Sequence, residues 1–155
     1  MSKLYRISFV QNIPSDIDTI WDFISSPANL KKITPPHMGF KILSEIDSDK
    51  MYTGQIIEYT VYPFPLIPMG WVTEIKHVKD KEYFVDEQRF GPYALWHHKH
   101  FIKPISNGVE MRDIVDYKIP FGFIGDIANI ILVKKQLKNI FEYRFQKIEE
   151  IFGKY

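Results

Sequence analysis

The residues most able to do chemistry stand close together. Gly91 to Phe101 reads GPYALWHHKHF, which places three of the chain's five histidines within four residues, behind Trp96. Imidazoles grouped in this way can ligate a metal, exchange protons with a bound molecule, or line a cavity as polar groups. Side chains alternate on a strand, so Trp96, His98, His100 and Ile102 share one face and His97, Lys99 and Phe101 the other. Lys99 marks the second face as the solvent side. The flanking segments alternate in the same sense, with Phe84, Asp86 and Gln88 before the histidines and Met111, Asp113, Val115 and Tyr117 after them. Three neighbouring strands are thus predicted to bring Asp86, Gln88, His98, His100 and Asp113 to one interior surface.

Buried polar groups must be paired, and a carboxylate opposite an imidazole accepts its N–H and favours the charged ring. Such a cluster can simply satisfy itself, or it can also orient the polar end of a ligand. It can also act as a general base, with His98 or His100 taking the proton and Asp113 or Asp86 orienting the ring. Zinc binding is a weaker reading. His98 and His100 lie about 6.6 Å apart along a strand and need a third ligand from Asp86, Asp113 or His37, and H-x-H without cysteine is a weak signal. No serine or threonine stands in a nucleophile context. Neither a metal nor a cofactor is expected, and His37 and His77 are expected to face solvent.

The bulk properties narrow the classes. The length of 155 residues suits one domain, here 1–155, and 45% hydrophobic with 25% charged residues is a globular composition. Twenty basic residues against 19 acidic ones leave +1, which gives no reason to expect nucleic acid. The chain has no cysteine, which rules out disulfides, thiolate metal sites and a cysteine nucleophile, and fits a reducing compartment. The first residues alternate instead of forming a secretory apolar run, and no stretch approaches the roughly 20 apolar residues of a membrane span. A soluble cytoplasmic protein without stable membrane insertion is expected. Aromatic residues reach 15%, with 12 Phe, 9 Tyr and 3 Trp. They build either an aromatic core or the walls of an apolar hollow.

The elements that position these residues follow from periodicity. Leu4 to Ile13 alternates as a first strand. A helix follows in PSDIDTIWDFISS, with Ser15 as its cap, Asp18 as capping-box partner, and Ile17, Ile20, Trp21 and Ile24 on one face. SPANLKKITPP gives a second short helix, opened by Ser26-Pro27 and stopped by Pro35-Pro36. Strands are predicted at 39–45, 53–61, 70–78, 82–89, 94–103 and 108–118, joined by loops as short as hairpins. YPFPLIPMG interrupts them, because its prolines forbid a regular strand centre, and it reads as a portal, a partner surface or a stiffened hairpin loop. From Asp126 to Phe152 a stripe of Ile127, Ile130, Ile131, Leu137, Ile140, Phe141, Phe145, Ile148 and Phe152 marks one helix about 40 Å long. Only a sheet face is long enough to cover it. The result is an α+β fold: a curved seven-stranded antiparallel sheet wrapped around a long C-terminal helix, with two short helices between strands 1 and 2.

This order resembles the helix-grip fold of the SRPBCC superfamily, which includes START-like and polyketide cyclase-like proteins, and in particular a bacterial branch of small ligand-binding members. The matching segments are WDFISSPANLKKITPPHMGFKIL, GQIIEYTV, GWVTEI, FVDEQRFGPYALWHHKHFI and MRDIVDYKIPFGFIG. His97 departs from the basic residue expected beside the tryptophan. The resemblance implies a cavity for a hydrophobic or amphipathic small molecule, such as a lipid, between sheet and helix. It supplies no catalytic set to carry over.

The leading expectation is a non-catalytic binder. Its walls would be Trp21, Tyr59, Trp71, Phe84, Trp96, Tyr117, Leu137, Phe141 and Phe145, with Asp86, Gln88, His98, His100 and Asp113 orienting one polar group. The alternative is a cyclase, dehydratase or isomerase acting through a His–Asp pair. A third reading is a docking protein that uses YPFPLIPMG and the early helices. A homodimer is left open.

Overall fold

The computed structural model describes residues 3–64 and 66–155. β1 (Tyr5–Ile13) leads into α1 (Ile17–Ile24) and two 3₁₀ helices, Pro27–Ile33 and Pro36–Met38. Six strands follow: β2 (Lys41–Ile42), β3 (Ile56–Phe64), β4 (Ile67–Lys79), β5 (Tyr83–Phe90), β6 (Leu95–Ile105) and β7 (Gly108–Lys118). The chain ends in one helical run made of α2 (Gly122–Ala128), a π turn (Asn129–Val133) and α3 (Lys134–Phe152).

The seven strands form one antiparallel sheet in the order β1-β7-β6-β5-β4-β3-β2. Short hairpins join β3 through β7, and β1 closes beside the last strand, from Tyr5 opposite Tyr117 to Ile13 opposite Val109. Register shifts in the β3–β4 and β4–β5 ladders bend the sheet. The concave face wraps α3, which buries Leu137, Phe141, Arg144 and Ile148 against it. α1 seals one end of this space by burying Ile20, Trp21 and Ile24 against Ile13, Phe84, Val109 and Ile148.

Several local expectations are corrected. α1 is capped by Asp16, not Ser15: the Asp16 carboxylate accepts the Thr19 N–H at 2.8 Å, and a charged oxygen is the stronger acceptor there. The strand predicted over 39–45 contracts to Lys41–Ile42. The 3₁₀ helix at Pro36–Met38 ends on left-handed Gly39, and β2 is only a short edge strand. The proline-rich segment is more regular than expected, because β3 continues through Pro63 and β4 begins at Ile67. A register shift between Val61 and Phe64 accommodates it. Pro65, within that segment, lies outside the described residues.

The C-terminal stripe is the largest correction. It does not face the sheet along its whole length: Ile127, Ile130 and Ile131 are exposed, whereas Leu137, Phe141 and Ile148 are buried. A π turn takes one residue more per turn than an α-helix, so it rotates the apolar stripe away from the sheet on one side of residues 129–133.

Candidate functional site

The strand ladder places the polar cluster. Asp86 of β5 lies opposite His98 of β6, Phe84 lies opposite His100, and His100 lies opposite Asp113 of β7. All point to the concave face, as the alternation predicts. The two imidazoles lie 3.7 Å apart centroid to centroid, and His100 stacks on Phe84 at 4.0 Å.

The carboxylates interleave with the rings. His100 Nε2 lies 2.8 Å from Asp86 Oδ2, and His98 Nε2 lies 3.0 Å from Asp113 Oδ1. His98 Nδ1 faces Asp86 Oδ2 at 3.6 Å. His100 Nδ1 lies 2.8 Å from Asp113 Oδ1 but outside hydrogen-bond geometry, so that contact is electrostatic. Every imidazole nitrogen of the pair therefore faces a carboxylate. From α3, the Arg144 guanidinium approaches Asp113 Oδ1 at 3.7 Å, and its Nε is buried without a partner.

These contacts set the protonation states. Burial alone would raise the Asp113 carboxyl, but Arg144 and the two histidines hold it well below the usual carboxylate range. Asp86 is likewise held low against its burial, by His98 and His100. Burial and the neighbouring charge of His100 push His98 down. His100 resists its own burial and is raised by Asp113 and Asp86. The favoured state is two carboxylates against Arg144 and a protonated His100, with His98 neutral. Asp86, His98 and His100 also offer ligand atoms within 4.8 Å of one another, enough for a metal. A metal there would have to break the His100–Asp86 bond and sit beside the Arg144 charge. The donor set is better matched to protons.

A pH dependence of stability follows. Raised His100 contributes in full below its unfolded value of 6.5 and loses that contribution as pH rises through its folded value. Lowered His98 works in the opposite direction: as pH falls below 6.5, the unfolded chain takes up a proton that the folded one resists. The carboxylates add a further loss below 3.8. Urea midpoints measured across pH are expected to peak near 6.5 and fall on both sides. A flat profile across neutrality would contradict the assigned states.

An apolar cavity of about 180 Å³ opens beside the cluster, between the sheet, the 3₁₀ helices and α3. Of the residues expected from sequence, Tyr59, Trp71, Phe84, Asp86, Trp96, His98, His100, Leu137 and Phe141 line it. The others lie elsewhere. Asp113 sits behind the histidines, between them and Arg144. The Gln88 amide is used up in the β5–β6 turn, donating to the Tyr93 carbonyl at 2.7 Å and accepting the Tyr93 N–H at 3.1 Å. Gly91 permits this, because a Cβ there would come within 2.5 Å of the Gln88 side chain. The Tyr117 hydroxyl donates to Asn129 at 2.9 Å, away from the cavity. Trp21 is core, edge-on to Phe84, and Phe145 is partly exposed at the edge of α3, in a groove beside Phe9 and Gln11 of β1.

Sequence reasoning missed several walls, chiefly Phe40, Tyr93 and Arg144. Arg144 was legible, since it lies three residues after Phe141 and four before Ile148 on the buried stripe. Elsewhere on the wall, Thr73 Oγ1 accepts the Trp71 indole N–H at 3.0 Å and shares a hydrogen bond with the Tyr59 hydroxyl at 3.1 Å. His37 and His77 are exposed, as expected.

No protein-family model and no curated protein matches the chain. Solved structures do. Ginseng major latex-like protein 151 from Panax ginseng superposes with a TM-score of 0.69 at 12% identity, covering 96% of this chain and 97% of its own. Ara h 8.0201 gives 0.67 at 12% identity, covering 97% and 98%. Protein CV1439 from Chromobacterium violaceum gives 0.69 at 13% identity, covering 97% and 98%. Likeness at such identities speaks to architecture, and with the sheet order and the gripped helix it leads to one conclusion: this chain has the helix-grip fold.

Proposed function

We propose that this protein binds a small hydrophobic or amphipathic molecule in the cavity between sheet and α3, without transforming it. The observation that carries this reading is the cavity itself, apolar along most of its wall and polar at Asp86, His98, His100 and Arg144. Apolar cavities near 150 Å³ hold a molecule the size of benzene. At about 180 Å³ the space suits a one- or two-ring body with a single polar group and is too small for a full lipid chain. Removal of apolar surface from water would supply the affinity, at about 25 cal/mol per Å². The polar cluster would set the orientation.

The pairing of the histidines supports binding over catalysis. A general base needs a nitrogen within reach of the substrate proton. Here Nε2 of each ring is hydrogen-bonded to a carboxylate, His98 to Asp113 and His100 to Asp86, and each Nδ1 faces the other carboxylate without a hydrogen bond.

Native mass spectrometry tests the reading, on protein isolated from its own cells and again after addition of 2-naphthol. A small organic mass that leaves on denaturation, or a stoichiometric naphthol adduct, is the expected result. A chain bare in both spectra would count against it.

A further inference from the structure

We propose that the outer face of α2 and the π turn docks this protein on an anionic lipid surface. This goes beyond the cavity reading and stands without it. Phe121, Phe123, Ile124, Ile127, Ile130, Ile131 and Leu132 are all exposed, with Phe123 at 72% and Ile130 at 74%. Single exposed apolar side chains are ordinary, but a contiguous run of this size marks an interaction surface. The π turn creates it by rotating these residues away from the sheet.

The charge beside the patch selects the partner. Lys134, Lys135 and Lys138 follow it directly and are exposed. Between Ile119 and Phe141 the sole acidic residue is Asp126. Its carboxylate is engaged by the Tyr5 hydroxyl at 3.0 Å and the Lys3 amide at 3.1 Å. Lys134 and Lys135 have no ion-pair partner among the described residues, and Lys138 has only Glu142 at 3.6 Å. An apolar helical face edged with lysines is the chemistry of helices that lie in the headgroup region of acidic bilayers. A second copy fits poorly, because a two-fold contact sets the same patch against itself and brings both lysine groups together. No helix among the described residues is long and apolar enough to cross a membrane, so the attachment is peripheral.

The β3–β4 hairpin tip is a separate exposed apolar feature. Leu66 is 94% exposed, and Ile67 beside it is also exposed. The tip is tied to α3 by the Gln136 side-chain amide, which donates to the Pro63 carbonyl, and both residues line the cavity.

Flotation with vesicles of phosphatidylcholine alone and of phosphatidylcholine mixed with phosphatidylserine tests the proposal, with oligomeric state measured by light scattering. Binding to the mixed vesicles only is expected. Changing Lys134, Lys135 and Lys138 together to Gln should weaken it by about tenfold or more. Phe123→Ser with Ile131→Ser should abolish it while leaving the melting temperature unchanged, since both residues are exposed. Failure to bind either vesicle overturns the proposal, as does equal binding to both. Self-association in the absence of lipid that the same serine variant abolishes would also overturn it, by assigning the face to a second copy. The naphthol adduct is read separately, so loss of vesicle binding leaves the cavity reading intact.

Discussion

Asp113→Asn is expected to lower the unfolding free energy by about 3 kcal/mol, near the bottom of the range for removing one partner of a buried charge pair. Asp113 is 3% exposed and meets His98, His100 and Arg144. The substitution preserves shape and removes charge, leaving Arg144 without its nearest counterion. For a domain of this size the melting temperature should fall by about 6–12 °C. The variant should also lose much of the stability decline above 6.5, because His100 would no longer be raised by two carboxylates. A loss below about 1 kcal/mol would place the pair in the weak class of solvent-exposed ion pairs. That result would overturn the closed network described here.

Phe84→Ala should cost about as much or more, in the range of 3–5 kcal/mol for a buried phenylalanine. The ring is 1% exposed, stacked on His100 at 4.0 Å and edge-on to Trp21 at 6.2 Å. Unlike the charge variant, it enlarges the cavity it lines. It should therefore still take up 2-naphthol and accept bulkier aromatic probes. The two substitutions share His100, so their combined cost in urea unfolding should fall short of the sum. Strict additivity would separate the aromatic stack from the charge network.

Both predictions rest on a layout that is partly legible in the sequence. β5, β6 and β7 are joined by short hairpins, and period-two alternation assigns their faces, so strand pattern alone brings Asp86, His98, His100 and Asp113 together. That reasoning weakens where phase is not conserved along an element. One extra residue in the π turn rotates Ile127, Ile130 and Ile131 outward, and no uniform periodicity anticipates it. Local hydrogen bonds mislead in a similar way. Gln88 points inward by alternation, yet the Tyr93 backbone takes both ends of its amide. Arg144 escapes because its charge suggests a surface position, although its spacing from Phe141 and Ile148 places it on the buried face. Ser15, read as the cap of α1, gives way to its neighbour Asp16, whose carboxylate accepts the Thr19 N–H.

The central claim is that the space between sheet and helix accepts a small apolar molecule. A titration with 2-naphthol followed by ¹H–¹⁵N correlation spectra tests it most directly, because the Trp71 indole N–H and the backbone amides of Trp96 and Leu137 report on the cavity wall. Saturable shifts at those signals, with the Trp21 indole largely unmoved, are the predicted result. Absence of shifts, or shifts confined to residues 121–132 on the outer face of the C-terminal helix, would contradict it.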